Sequence, residues 1–178
     1  MSATTYQIDP SHSAAYFKVR HLTIANITGE FGKVTGSVTF DSDNPAASSV
    51  EASIEVASLY TRDGNRDNHL KAADFLDAEK HPNITFQSKS VASSGKDSFS
   101  VTGDLALHGV TKPVTVAVQG LGGEVKDPWG NLRLGAEAKT RLSRKDFGLT
   151  WNATIESGGF LISDEVDISL DIELVRKP

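Results

Sequence analysis

The 178-residue chain contains no cysteine. This excludes disulfides, thiolate catalysis, cysteine-based zinc sites and iron–sulfur clusters. Aromatic residues make up only 7% of the chain, and no apolar run is long enough to cross a bilayer as a helix. The net charge is −5 and no block rich in lysine or arginine is present, which argues against a nucleic-acid-binding surface.

Targeting, domain and cofactor signals are also scarce. The first residues, MSATTYQIDP, lack the charged and apolar regions of an export signal, so we expect either a cytoplasmic protein or the processed form of an exported one. No linker or repeat divides the chain, and residues 1–178 are predicted to form one domain. The five histidines show no metal-site spacing and no nucleotide-binding signature occurs, so we expect neither a metal nor a cofactor.

The pattern that dominates is an alternation of apolar and polar residues with a period of two. Successive side chains of a strand point to opposite faces, so each such segment predicts a strand with one apolar face. This is typical of antiparallel sheets, and turn signals such as Gly122-Gly123 and Asp127–Gly130 separate the segments. The alternating segments are 34–40, 50–56, 99–107, 114–118, 132–138 and 166–174.

Two segments depart from the alternation. Residues 61–81 are charged, and Leu70, Ala73 and Leu76 have a helical spacing, so a helical insert capped by Thr61 or Asp63 is predicted here. Residues 21–32 read as an irregular connection that could plug one end of the fold.

About eight amphipathic strands must bury their apolar faces. Either two packed sheets or one sheet closed into a barrel would do this, and the alternation does not distinguish the two. Many inward positions are small, and small residues leave volume for an apolar ligand or simply accommodate strand coiling in a sandwich. These positions are Gly36, Ala52, Gly103, Ala136 and Ala138.

The residues themselves resemble the YceI-like family over nearly the whole chain and in order. Two positions depart from the family pattern: Leu76 replaces a common Phe, and His81 replaces a common aromatic residue before Pro82. The segments that carry the resemblance are IDPSHS (8–13), FKVRH (17–21), RDNHL (66–70), DFLD (74–77), Phe86, LALHGVTKPV (105–114), SRKDFGL (143–149) and GGFLISDEV (158–166).

The resemblance implies an all-β fold with a short helical insert, an extended eight-stranded antiparallel lipocalin-like barrel around a long apolar channel. The implied ligand is an amphiphilic lipid: a polyisoprenoid such as a quinone or polyprenyl phosphate, or a fatty-acid derivative. Transport, storage or sequestration of that lipid, rather than catalysis, is the expected role. Members of the family are often periplasmic and often dimeric, so a homodimer is expected.

Candidate site residues fall into two groups. Apolar side chains are expected to line the channel, and cationic or imidazole side chains near its mouth are candidates for a head group, since guanidinium groups bind phosphate or carbonyl oxygens well. The channel candidates are Phe17, Val19, Val38, Ile54, Val56, Leu70, Phe75, Phe86, Leu105, Leu107, Leu134, Ile168 and Leu170. The head-group candidates are Arg20, His21, Arg66, His69 and Arg144.

Two alternatives from other functional classes remain open. Asp67 and His69 could act as acid and base in a hydrolase or isomerase that acts on a lipid head group. A β-sandwich with a filled interior could instead serve as an adhesion or interaction module, with no ligand at all.

Overall fold

The computed structural model describes residues 3–178; Met1 and Ser2, which open the segment read for an export signal, lie outside this range. The described chain contains twelve strands and one α-helix. The strands are β1 (Thr4–Ile8), β2 (Ala14–His21), β3 (Ala25–Phe31), β4 (Val34–Phe40), β5 (Ser49–Glu55), β6 (Leu59–Tyr60), β7 (Asn83–Gly95), β8 (Ser98–Leu107), β9 (Val110–Gln119), β10 (Val125–Lys126), β11 (Leu132–Ser143) and β12 (Glu165–Arg176), and the helix is α1 (Gly64–Lys71).

Eight of the strands close into an antiparallel barrel. The ring runs β11-β9-β8-β7-β5-β4-β1-β12, and β12 returns to β11. The β11–β12 pairing is the longest contact in the closure, from Arg133 opposite Val175 to Ser143 opposite Glu165. Closure confirms the barrel predicted from the resemblance and excludes the two-sheet sandwich, because every strand of the ring has a partner on both sides.

The barrel wall extends beyond the ring at one end. β1 and β2 are two parts of one N-terminal strand, interrupted by the short 3-10 helix Pro10–His12, and both pair with β12. β3 pairs with β2 along its whole length, and β6 adds two residues at the edge of β3. The prediction that residues 21–32 are irregular is therefore wrong. Gly29 and the polar residues around it hid an alternation in which Ile27 lies opposite Val19 and Phe31 opposite Ala15.

The helical insert is shorter than residues 61–81. Of the two predicted caps, Asp63 rather than Thr61 caps α1, because its side chain accepts a hydrogen bond from the Arg66 backbone N–H at 2.9 Å. α1 ends at Lys71, and the chain continues in turns, with Asp77 in the left-handed region at φ 48°. These turns bury Phe75 and Leu76. No helix in the described part of the chain has the length and apolar character needed to span a bilayer.

Candidate functional site

The barrel encloses an apolar cavity of about 500 Å³, a volume within the usual range for small-molecule pockets. Its wall comes from the inward-facing residues of the strands. Five alternate residues of β12, from Val166 to Leu174, line it, which corresponds to roughly 26 Å of strand at about 3.3 Å per residue. An elongated apolar space of this kind fits a chain better than a compact ring.

The rim of the cavity is built from β2 and from two segments outside the barrel ring. His21, Leu161 and Ile162 line one side, and His21 forms an isolated β-bridge with Ile162. On the other side, the ring of His69 packs edge-on against Phe75 and Trp151, with centroid separations of 5.1 Å and 4.9 Å. This aromatic cluster joins the helical insert to the segment after β11.

The opposite end forms a floor. Phe40 and Phe99 pack edge to face at 5.3 Å, and Leu121, from the segment after β9, lines the cavity beside them. Below them Tyr6 is buried and donates a hydrogen bond from its hydroxyl to Glu124 Oε1 at 2.7 Å. Burial, and then this hydrogen bond, raise the pKa of Tyr6 to about 12. The Tyr6–Glu124 contact therefore fixes the segment that covers this end.

The channel candidates fall almost entirely on the cavity wall. All of them line it except Val56 and Leu134. Val56 lies in the 3-10 helix after β5 and is fully buried, with its backbone N–H bonded to the Pro82 carbonyl. Leu134 is buried in the core opposite Leu174, and it borders a second, more open depression instead of the cavity. Neither residue lines the cavity in the structure.

The head-group candidates separate more sharply. Arg20 does not line the cavity: strand alternation places it on the outer face of β2, where its guanidinium bonds the Thr23 carbonyl and Asn26 Oδ1, both at 3.2 Å. His21, the next residue, faces the cavity. Its ring makes no hydrogen bond or ion pair with any residue of the described chain.

Arg66 reaches the cavity wall, but its guanidinium is bound within the insert. Its Nε donates to Thr61 Oγ1 at 2.8 Å and its Nη2 to the Thr61 carbonyl. Asp67 completes the arrangement by accepting from the backbone N–H and the hydroxyl of Thr61. These contacts attach α1 to the end of β6. Because the charged groups of Arg66 and Asp67 are both hydrogen-bonded to Thr61, their role is to hold α1 in place.

Arg144 also lines the cavity, but it serves the segment around it. Its side chain is 4% exposed and donates to three backbone carbonyls: Leu149 at 2.6 Å, Trp151 at 2.8 Å and Ser163 at 2.8 Å. Burial lowers the pKa of Arg144, and the carboxylate of Asp164, 3.5 Å away, acts in the opposite direction. This guanidinium organises the rim segment between β11 and β12.

The alternative acid–base pair is not assembled. Asp67 is buried and bonded to Thr61, whereas the His69 ring packs against Phe75 and Trp151 and lies 3.6 Å from Asp74. The two side chains that the enzymatic alternative pairs therefore have different partners.

The closest approach to a metal-ligand cluster in the described chain lies outside the barrel. Ligand atoms of Asp9, His12 and Glu173 are within 4.8 Å of one another. However, Arg133 Nη1 already donates to Asp9 Oδ2 at 2.7 Å and to Glu173 Oε1 at 2.6 Å. Hydrogen bonds from Arg133 and His12 lower the pKa of Asp9 to about 2. A guanidinium thus supplies the positive charge in this cluster.

Arg133 extends this cluster to the β10–β11 hairpin. Its Nε donates to Asp127 Oδ2 at 2.7 Å. Burial would raise the pKa of Asp127, but the hydrogen bonds from Arg133 and Asn131 outweigh it and lower that pKa. The cluster therefore ties the hairpin to β12 and to the end of β1.

Sequence reasoning missed several wall residues. Phe99 and Val101 lie in a segment whose alternation is plain, so their position on the wall could have been read from it. Trp151 and Ile162 lie in an irregular segment, and no periodicity marks them.

A closed antiparallel barrel around an elongated apolar cavity, with a floor at one end and a rim at the other, places the chain in the lipocalin-like class of barrels. The match to a family model narrows this class. The chain belongs to the YceI-like domain family, whose model matches residues 6–174.

Individual relatives agree with this assignment. A UPF0312 protein of Azotobacter vinelandii is 42% identical over 177 residues, covering 98% of this chain and 88% of the relative. Among solved structures, Burkholderia cenocepacia BcnA superposes with a TM-score of 0.79 at 23% identity, covering 93% of this chain and 98% of that one. A polyisoprenoid binding domain from Saccharophagus degradans, implicated in plant cell wall breakdown, gives 0.70 at 15% identity, covering 98% and 99%. At these identities the two structures support the fold.

Proposed function

We propose that this protein binds one long-chain amphiphilic lipid, with the tail in the barrel cavity and the head group at the rim. The ligand class is a polyisoprenoid such as a quinone or a polyprenyl phosphate, or a fatty-acid derivative. The observation that carries the proposal is a continuous apolar wall from the rim at His21 to the floor at Phe99. Holding such a lipid away from water serves transport, storage or sequestration.

The tail is bound by burial alone. Each methylene-sized unit moved from water into an apolar cavity contributes about 0.8 kcal/mol. The wall has few polar groups that would need a hydrogen-bond partner on the ligand. The cavity should therefore discriminate between lipids by the shape and length of their tails. Wall candidates that we retain for the tail are Phe17, Val19, Val38, Ile54, Leu70, Phe75, Phe86, Leu105, Leu107, Ile168 and Leu170.

His21 is the residue we assign to the head group. It is at the rim, it faces the cavity, and its ring nitrogens have no partner in the described chain. Arg66 and Arg144 are committed to oxygens of Thr61 and of the rim segment, and Arg20 points away. The imidazole of His21 can donate to a phosphate or carbonyl oxygen.

The family and one neighbour support the ligand class. The Saccharophagus degradans structure is described as a polyisoprenoid binding domain, and its barrel matches this one along nearly all of both chains. We infer binding without catalysis, because Asp67 is held by Thr61 whereas His69 packs against Phe75 and Trp151 and lies beside Asp74, so the pair that the enzymatic alternative requires is not formed.

Native mass spectrometry of protein purified from its own host tests the proposal. We expect an adduct with the mass of a lipid, and uptake of added quinone or polyprenyl phosphate by stripped protein. Ala138 lines the cavity and Glu137, its neighbour on β11, is exposed on the outside. Ala138→Phe should fill the cavity and reduce uptake about tenfold or more, and Glu137→Phe should not.

Two results would contradict the proposal. One is the absence of any lipid adduct together with no uptake of added lipid by the folded wild-type protein. The other is equal uptake by Ala138→Phe and wild type, with circular dichroism showing that the variant is folded.

A further inference from the structure

We propose that the rim of the barrel docks on the surface of a phospholipid bilayer, with Ile24 and Phe160 inserted at the boundary of the acyl chains. This inference rests on the proposed function, since it states how a lipid would pass between a membrane and the cavity. It follows from the placement of two exposed apolar side chains on two loops of the rim.

Ile24 is held outward by the β2–β3 turn. Its side chain is 74% exposed. The two preceding residues, Leu22 and Thr23, adopt left-handed backbone conformations with φ of 52° and 62°. A β-branched residue such as Thr23 rarely takes this conformation, so the turn is locally strained. The strain is held in place from outside the turn, since the Leu22 N–H donates to the Leu161 carbonyl at 2.8 Å.

Phe160 is presented by a second turn. Residues 153–161 form a small hairpin in which the Leu161 N–H bonds the Ala153 carbonyl at 2.9 Å, and Phe160 is 58% exposed. The hairpin reverses at Gly158 and Gly159, with φ of 77° and 114°. The base of the hairpin is fixed: Asn152 bonds the backbone N–H and carbonyl of Ile162.

The turn that carries Ile24 and the hairpin that carries Phe160 are joined by backbone hydrogen bonds. His21 and Ile162 form a β-bridge, and the Ser163 N–H donates to the Arg20 carbonyl at 3.0 Å. Residues next to the tips, namely His21, Leu161 and Ile162, line the cavity. The tips therefore adjoin the cavity wall, and a lipid tail that left a bilayer through a docked rim would have only a short path to the cavity.

A bilayer matches these tips better than a second protein does. A stable protein interface buries about 800 Å² on each partner over a complementary face, whereas Ile24 and Phe160 project from two narrow turns. Large apolar side chains that enter the headgroup–acyl boundary are typical of proteins that bind at a membrane surface. The loop residues 22–24 and 153–161 contain one charged residue, Glu156, so insertion rather than charge should drive docking.

The molecule carries its own matched control. Trp129 and Val125 are 82% and 69% exposed. They lie in and before the turn that joins β10 to β11, at the opposite end of β12 from the rim, and neither lines the cavity. Replacing them removes a similar amount of exposed apolar surface at a place that the proposal leaves unused.

Sedimentation with sucrose-loaded phosphatidylcholine vesicles tests the docking. We expect the wild-type protein to sediment with the vesicles, and Ile24→Ser/Phe160→Ser to lose at least about tenfold in partitioning. Val125→Ser/Trp129→Ser should partition like wild type. Partitioning should also persist between about 0.1 M and 1 M NaCl, over which the Debye length falls from roughly 10 Å to 3 Å.

Uptake of a quinone from detergent micelles, with no bilayer present, separates docking from ligand binding. The rim double variant should take up the quinone as wild type does. If wild-type protein takes up the quinone but never sediments with vesicles, the docking proposal is wrong and the lipid-binding proposal stands. Equal vesicle partitioning of the rim variant and wild type would also overturn docking. So would a wild-type dimer that the rim substitutions convert to a monomer, because the tips would then bind a second copy.

Discussion

The ring of Phe17 lies directly over the Cα of Gly29, its paired residue on the neighbouring strand: a β-carbon at Gly29 would be 2.3 Å from Phe17 Cζ. Thr61, which holds the start of the helical insert through Asp67 and Arg66, is also within 2.8 Å of that position. The absence of a side chain at Gly29 therefore leaves room for both the Phe17 ring and the methyl group of Thr61.

We predict that Gly29→Ala lowers the free energy of unfolding by about 1–3 kcal/mol, because the Phe17 ring must leave its position. Urea denaturation measures this. Gly135→Ala is the matched control: it is a strand glycine with no neighbour within 4 Å of the added carbon, so we expect little loss there. Equal losses in the two variants would show that strand propensity, and not the Phe17 contact, sets the cost.

A second prediction concerns the head group. His21→Leu should weaken binding of a polyprenyl phosphate about tenfold or more, since a hydrogen bond to a charged oxygen contributes about 1.5–3 kcal/mol. Binding of a hydrocarbon tail without a head group should not change. Arg20→Leu alters the adjacent, outward-facing residue and should leave both affinities as they are. Fluorescence titration gives the dissociation constants of wild type and of the two variants for both ligands. If Arg20→Leu, and not His21→Leu, weakens binding of the polyprenyl phosphate, the assignment of His21 is refuted.

A third prediction concerns the rim. Arg144→Met removes the donor for the carbonyls of Leu149, Trp151 and Ser163. We expect the free energy of unfolding to fall by about 2 kcal/mol or more, and amide hydrogen exchange over residues 149–164 to become faster. Arg144→Lys should rescue little, because an ammonium cannot reproduce the planar fork. Arg141→Lys, at an exposed ion pair with Asp167, should leave exchange in this segment unchanged. Slow exchange retained in Arg144→Met would mean that other contacts hold the rim.

A fourth prediction concerns acid stability. Hydrogen bonds from Arg133 and His12 lower the pKa of Asp9 to about 2 in the folded state, against about 3.9 in an unfolded chain. The Asp9 contribution to stability is therefore present above about pH 4 and is lost as the pH falls towards 2.

Asp9→Asn should be less stable than wild type at neutral pH, and the difference should shrink below about pH 4 as wild type loses this contribution. Urea midpoints measured from pH 2 to pH 7 check this. Asp171→Asn, at an exposed carboxylate on β12 outside the Arg133 cluster, should track wild type over the whole range. A pH-independent difference for Asp9→Asn would contradict the prediction.

The alternating pattern located the barrel strands well because a two-residue period is a local property. The segment 34–40 is β4 as predicted, and 166–174 lies within β12. The pattern did not predict β3, because Gly29 occupies an inward position where an alternating strand usually has a large residue. Glycine is required there by the ring of Phe17, which lies on another strand. Closure of the barrel came from the resemblance, since alternation alone is equally compatible with two sheets.

The candidate site was predicted unevenly for a related reason. An apolar residue in an alternating strand faces the interior wherever the partner strands lie, so most of the wall candidates line the cavity, and their contact with a ligand stays a prediction. Which cation remains available to a ligand depends on distant partners. Arg144 bonds carbonyls up to 19 residues away, and its neighbours in the sequence do not reveal this. His21 and Arg20 differ only in the face of β2 on which they lie, and their different roles follow from that.

The floor made by Phe40, Phe99 and Leu121 limits the length of tail that the cavity can hold. A tail that enters from the rim meets a fixed stop, so carbons beyond the depth of the tube must remain outside it. Affinity should therefore rise with chain length up to that depth and level off afterwards. Replacing Phe99 with a smaller residue should deepen the cavity and shift the start of this plateau to longer chains.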